Sequence, residues 1–326
     1  MILNNTIASN NDTGITIRDH SNGTIQGNII EKNPTGISIS EESNPTIHGN
    51  NITANNGDGI ACANSNPTIQ NNNISQNNHA GISVMGLCSP IIYNNTIISN
   101  GWAGIHPNSG ANPKIESNTI KSNRIGISVL NASSTISGNI ITENLEGGIG
   151  CHNYSNPTIA NNIITSNPGG NGIHCSYHSD PTIRNNTLTA NSGGIGCVEY
   201  SNPTIQNNNI SQNYGSGIAI GNSSPLIQYN TIFSNTANGI IATYSNPTIH
   251  QNNIAANPLG IILSHSNPSI QGNIITANNE SGIHIDDYSN ATVQENTISG
   301  NLIGIEVSKN STPTIQGNEI MENMDI

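Results

Sequence analysis

Charge and aromatic rings are the two things this 326-residue chain has least of. Asp, Glu, Lys and Arg make up 8% of it, far below the usual quarter, so ion pairs cannot knit most of its surface. Seven Lys plus Arg stand against nineteen Asp plus Glu, and the net charge of −12 excludes a nucleic-acid backbone as partner. Aromatics are 3% of the chain, too few to build its core. No apolar run approaches the roughly 18 residues of a bilayer-crossing helix, so no membrane span is expected. No secretory signal leads the chain, because Met1 runs straight into repeated sequence. The chain opens part-way through one repeat and stops just after the motif of another, as a fragment of a longer protein would. Uncapped coils would leave unpaired strand edges, which makes end-to-end self-association possible.

Cysteine is scarce too, and the five present do not form a disulfide framework. Cys62, Cys151, Cys175 and Cys197 share one place in the repeat, two residues after the Ile of a Gly-Ile pair. Elsewhere that place holds Ile17, Ile39, Val84, Val129, Ile220, Leu263, Ile285 or Val307, so the four read as small buried hydrophobes. Cys88 falls in a connecting turn, where exposure is expected. A column of thiols supplies no tetrahedral ligand set, and Met85, Met321 and Met324 converge with no His and Cys group. No metal and no cofactor are expected.

What the chain has is repetition. Thr-Ile-x-x-Asn-x-Ile-x-x-Asn recurs about every 22 residues, with its first Asn running from Asn5, Asn28 and Asn50 to Asn318. An aliphatic residue lies three positions before each, another two positions after, and a second Asn three beyond that, from Asn10 to Asn323. Such a period means an array of stacked units, and unbroken self-similarity makes residues 1–326 one continuous body despite the length. Each unit carries three short segments: Gly-Ile-x-Ile, as at Gly36 to Ile39; Pro-Thr-Ile, as at Pro45 to Ile47; and Asn-x-Ile. Ile alternating with Thr or Ser marks strands with one buried face, and Pro, Gly and Asn supply the turns. Three strands per turn over about 14 turns describe a coil stacked in parallel on the next. Parallel crossovers are right-handed in nearly all cases, so the expected fold is an all-β, right-handed parallel β-helix. The Ile columns form its core, and the Asn columns sit at bends where each amide bonds to the same amide one coil away.

These residues resemble the right-handed parallel β-helix repeat proteins of the pectate-lyase-like superfamily, over the whole chain. That superfamily includes polysaccharide lyases, glycoside hydrolases, uronan epimerases, phage tailspikes and surface proteins. The resemblance implies long glycans as ligands and an extracellular or cell-surface setting. The catalytic signatures of the family are not intact here: there is no Gly-His-Gly, no Asp-Pro-His-Asp and no Arg-x-Lys. The Gly-Gly-x-Gly-x-Asp calcium repeat is missing as well.

Function in a solenoid sits where the repeat departs from its own pattern. The clearest departure is His284-Ile285-Asp286-Asp287-Tyr288. Register counting puts His265 and Lys309 on either side of Asp287 and Glu306 beside His284. Paired carboxylates with His or Lys suit acid/base work on a glycosidic bond or a uronate C5 proton, with Asp286, Asp287 and His284 as the catalytic candidates. The bland alternative is a solvated turn holding an Asp287–Lys309 ion pair. A second cluster, His152, Tyr154, His174, Tyr177, His178, Glu199 and Tyr200, lies in or just after the first strand of three successive coils. Aromatic faces stack on sugar rings while polar tips hydrogen-bond, so these are the carbohydrate-binding candidates. Their alternative is a plain stacking column, since Tyr154, Tyr200, Tyr244 and His265 each precede Ser-Asn-Pro.

Loop lengths weigh on the choice. The step from the Gly-Ile Ile to the next Thr-Ile Ile is always 9 or 10 residues, and from the second Asn to the next Gly-Ile Ile it is 4 to 6. Catalytic clefts need walls, and no coil has a long insertion to build one. The sequence therefore favours a rigid structural or glycan-binding module, with a polysaccharide-active lyase, hydrolase or epimerase as the alternative.

Overall fold

In the coil that begins at Gly36, strands Ile37–Ile39, Thr46–His48 and Asn51–Thr53 follow one another around a closed core. Ile37, Ile47 and Ile52 are fully buried and Ile39 nearly so, while Ser38 and Thr46 point away. The next coil repeats this in register, with Thr46 beside Thr68, Ile47 beside Ile69 and His48 beside Gln70. Identical residues therefore stack on identical residues. Each buried Ile contributes about 1.5–3 kcal/mol, and the whole core consists of such columns. The computed structural model describes residues 1–324.

The chain divides into two compact units, Met1–Gly169 and Gly170–Ile326. In the first unit, three parallel sheets hold eight, eight and seven strands; in the second, each holds seven. The expected all-β solenoid is present, with about 15 coils where the repeat count suggested about 14.

The Asn columns are the ladders expected of them. Asn50 donates from its backbone N–H (3.0 Å) and its Nδ2 (2.9 Å) to Oδ1 of Asn72. Its Nδ2 also reaches the carbonyls of Ile25 (3.0 Å) and His48 (3.1 Å). The second column does the same, as from Asn55 to Asn77 at 2.8 Å. A buried amide is tolerated only when its donors and acceptor are all met, and these are. The residue before each ladder Asn adopts the left-handed region, as at Asn71 (φ 55°) and Gln76 (φ 55°), and this bends the chain so that the Asn turns inward. The glycine of Gly-Ile has a separate cause. A Cβ on Gly59 would lie 2.7 Å from the Gly81 carbonyl oxygen and 2.8 Å from Asn77 Nδ2, so the ladder leaves no room for one.

A third ladder escaped sequence reading. The Ser of Ser-Asn-Pro is buried, and its hydroxyl accepts the N–H of the Ser one coil before, as from Ser201 to Ser223 (3.1 Å) and Ser223 to Ser245 (3.2 Å). Cys88 occupies this column at residue 65 plus one coil. It is buried at 5% exposure, not exposed as a connecting turn suggested, and its thiol donates to the Met85 carbonyl. The other four cysteines are buried in the strand column that the sequence assigned them.

Candidate functional site

The last complete coils of the second unit carry the acidic cluster. On strand Ser281–Asp286, Ile283 and Ile285 face the core, which turns His284 and Asp286 outward. Strand Ile303–Val307 lies beside it with Glu306 in register with His284. His284 Nδ1 stands 3.6 Å from Glu306 Oε2, and Ser281 donates to the same carboxylate at 2.6 Å. Lys309 Nζ lies 2.7 Å from Asp286 and 3.5 Å from Asp287, so the ion pair expected at Asp287 is made chiefly with Asp286. The Ser308 hydroxyl donates to Asp286 at 2.7 Å, and Ser264 donates to Asp287 at 3.3 Å. The Lys309 and Ser308 hydrogen bonds lower the Asp286 carboxyl to about 2. Asp286 is thus held ionised, which suits a base or an electrostatic partner and excludes a proton donor at neutral pH. The structure brings Asp286, Asp287 and His284 together, inside a network whose charges are already met.

The aromatic candidates are divided between the units. His152 and Tyr154 belong to the first, with Tyr154 exposed in the turn after strand Ile149–His152. In the second unit, His174 faces outward on strand Asn171–Ser176, and burial lowers its pKa although Glu199 opposes the shift. Tyr177, His178, Glu199 and Tyr200 occupy the left-handed turns that follow the strands of this sheet, with φ between 53° and 62°. His178 stacks on Tyr200 at 5.4 Å and an interplanar angle of 13°. Further along, Tyr244 stacks on His265 (4.6 Å, 22°), and His265 leans on Tyr288 (6.1 Å, 38°). Tyr200, Tyr244 and Tyr288 are all about three-fifths exposed, so the column stands on the outer surface.

Sequence reasoning passed over a third cluster, in the first unit. His79 Nδ1 meets Asp58 Oδ1 at 2.5 Å, and the same oxygen accepts the Ala80 N–H at 2.9 Å. The His79 ring stacks on Trp102 at 4.7 Å, and Trp102 packs edge-on against His106 at 4.3 Å. His106 is buried, donates from Nδ1 to the Ser128 carbonyl at 2.8 Å, and burial lowers its pKa. A carboxylate that orients an imidazole beside an indole face can serve acid/base chemistry or sugar contact. The signal was available: Asp58, His79 and Trp102 lie three, two and two residues after ladder Asn residues 55, 77 and 100.

The family model described as right handed beta helix region matches residues 1–120, 103–254 and 226–325. The chain belongs to this right-handed β-helix family. No curated protein sequence matches it. Among solved structures, a mutant of the periplasmic alginate epimerase AlgG is similar with a TM-score of 0.58 and 16% identity. The match covers 91% of this chain and 77% of that one. The A-module of the Azotobacter vinelandii mannuronan C-5 epimerase AlgE4 is similar with a TM-score of 0.60 and 14% identity, over 91% of each chain. The corresponding AlgE6 A-module gives 0.56 and 12%, over 92% of this chain and 91% of that one. At such identities the likeness is one of fold.

In this right-handed β-helix, almost no positive charge is free. Six of the seven Lys and Arg side chains lie within 4 Å of a carboxylate, as in Lys121–Glu143 (3.1 Å) and Arg124–Glu146 (2.6 Å). Among the described residues there is no group of three or more His, Cys, Asp or Glu set to hold a metal ion, and no helix long and apolar enough to cross a membrane.

Proposed function

We propose that this protein is a glycan-binding β-solenoid that holds a neutral polysaccharide along the exposed aromatic column of its second unit. The observation that carries the reading is the column itself: His178 on Tyr200, and Tyr244, His265 and Tyr288 in sequence, with the three Tyr side chains about three-fifths exposed. Burial does not account for rings this exposed, and flat faces with polar tips suit pyranose rings. The similar solved structures are named for epimerases of alginate and of mannuronan, which supports a carbohydrate ligand class. The charge argues against alginate itself, because a polyuronate would meet a net charge of −12 with its cations already paired. A location outside the cytoplasm, extracellular or at the cell surface, belongs to the same reading. Coil-on-coil self-association is a separate part of it, and a molar mass that stays constant with concentration in light scattering removes that part.

The test is affinity electrophoresis of the protein in gels containing neutral or acidic polysaccharides. Retardation by a neutral polymer, reduced about tenfold in affinity by Tyr200→Ala combined with Tyr288→Ala, is the expected result. Unchanged affinity in the double variant would sink the column as the binding face.

A polysaccharide-active enzyme is the second reading, favoured by the Asp58–His79 pair beside Trp102. It predicts shortened or unsaturated products by mass spectrometry, lost in His79→Gln. No product from any polymer would leave a binding module.

A further inference from the structure

The aromatic column of the second unit is interrupted once, and the interruption has the size of a ring. The residue before each ladder Ser is His178, Tyr200, Asn222, Tyr244, His265 and Tyr288 in successive coils. Tyr200 has His178 stacked on one face at 13°, so its other face looks toward the Asn222 coil. Tyr244 has His265 stacked on one face at 22°, and its free face looks back toward the same coil. Between them lies a cleft of about 390 Å³ lined by Tyr200, Asn202, Asn222, Ser223, Ser224 and Tyr244.

We propose that this cleft is a subsite for a single pyranose ring, inserted between Tyr200 and Tyr244 where the column lacks its aromatic. Two coils at about 4.8 Å each set the two Tyr rings about 9.6 Å apart. A guest ring midway is then about 4.8 Å from each, inside the roughly 4.5–7 Å range of ring stacking. The floor fits the edge of a sugar. The Asn222 carboxamide is exposed and bonds to no protein atom among the described residues, which leaves its donors and its acceptor for hydroxyls. The Ser224 hydroxyl accepts the Asn246 N–H at 3.2 Å and keeps its own proton to donate. Asn202 is held in place, with Oδ1 accepting the Ser224 N–H at 2.5 Å and Nδ2 donating to the Tyr200 carbonyl at 3.1 Å. One coil below, the Asp180 carboxylate accepts the Asn202 N–H at 2.5 Å, which disfavours a uronate guest. The chain has other Asn residues at this turn position. Asn64 has Glu42 and Leu87 in the adjoining coils, and Asn131 has Gly110 and Tyr154, so neither is a gap between two stacked pairs. The subsite rests on the glycan reading but is narrower than it.

Asn222→Tyr is the decisive variant. Asn222 and Tyr244 share the left-handed turn, with φ of 49° and 51°, so the backbone already accepts Tyr at this place. The new ring would fill the gap and complete the stack. The probes are methyl glycosides of glucose, galactose, mannose and N-acetylglucosamine, read by saturation-transfer difference and by the Tyr ring-proton shifts in NMR. One of them is expected to bind the native protein, with affinity at least tenfold lower in Asn222→Tyr and unchanged in Tyr214→Ala, a control ring in the same unit. Should Asn222→Tyr fail to fold, Tyr200→Ala and Tyr244→Ala each open one wall and are expected to show the same loss. Equal or tighter binding by Asn222→Tyr overturns the subsite while leaving a glycan bound along the column. No binding of any glycoside overturns the subsite. If no polysaccharide is retained either, the glycan reading falls with it.

Discussion

The buried Asn ladders and the exposed column before the ladder Ser repeat with the same period, yet one hardly varies and the other varies in almost every coil. The ladder position is Asn from Asn28 to Asn296 because each amide must accept two hydrogen bonds and donate its own at one depth. Asp cannot donate there, and Ser cannot span the gap. The exposed position asks only for a left-handed turn, and in the first unit it holds His20, Glu42, Asn64, Leu87, Gly110 and Asn131, with Tyr154 its one aromatic before the second unit begins. In the second unit the same turns hold mostly rings. Invariance in a solenoid therefore reports packing, and chemistry is free to settle only where packing makes no demand.

The sharpest break in that comparison is Asn208→Ala. It leaves the backbone N–H and Nδ2 of Asn186 without the Oδ1 they share at 2.9 and 3.0 Å, inside a dry core. A loss of about 3–5 kcal/mol is expected in denaturant unfolding, from a stranded backbone N–H, an amide left with one acceptor fewer, and a cavity. Gly239→Ala comes next. Its Cβ would stand 2.5 Å from the Gly260 carbonyl oxygen and 2.6 Å from Ile254 Cγ2, and a cost of about 2–3 kcal/mol is expected in the same assay. Tyr288→Ala, on the exposed column, is expected to change stability by less than about 0.5 kcal/mol, so a larger loss would mean that the column is structural after all.

The smallest effect concerns pH. Asp286 titrates at about 2 against an ordinary 3.8, so its pairing with Lys309 and Ser308 is fully present above pH 3.8 and lost as pH falls toward 2. Lys309→Gln is expected to move the Asp286 carboxyl-carbon midpoint in NMR up toward 3.8, and an unmoved midpoint would exclude Lys309 as the main cause. At His106 the direction is the same but the cause is burial: the folded protein resists protonation, so stability declines as pH falls below 6.5, and removing the ring should flatten that decline.

Much of the fold was legible because the period is stated some fifteen times. Ile columns, two Asn ladders and four of the five cysteine positions follow from spacing alone. Cys88 and the Ser ladder did not, since Ser-Asn-Pro reads as turn chemistry and only the coil closure buries its first residue. The candidate sites were legible in part. Counting repeats placed Glu306 beside His284 and the Tyr residues in one column, but it assigned Lys309 to Asp287 when Asp286 holds it more closely. It also passed over Asp58, His79 and Trp102, whose residue types share no motif.

The number of strands per coil, the buried side of each strand and the stacking partner of each residue follow from residue order, because a fixed period turns linear position into a column. Tertiary structure alone decided which of those columns touch sideways and which way each ring faces. Those contacts depend on how far a side chain reaches across a turn, a distance that spacing along the chain does not encode. The Asp286–Lys309 pair, made one column across, and the near-parallel facing of the His79 and Trp102 rings are of that second kind.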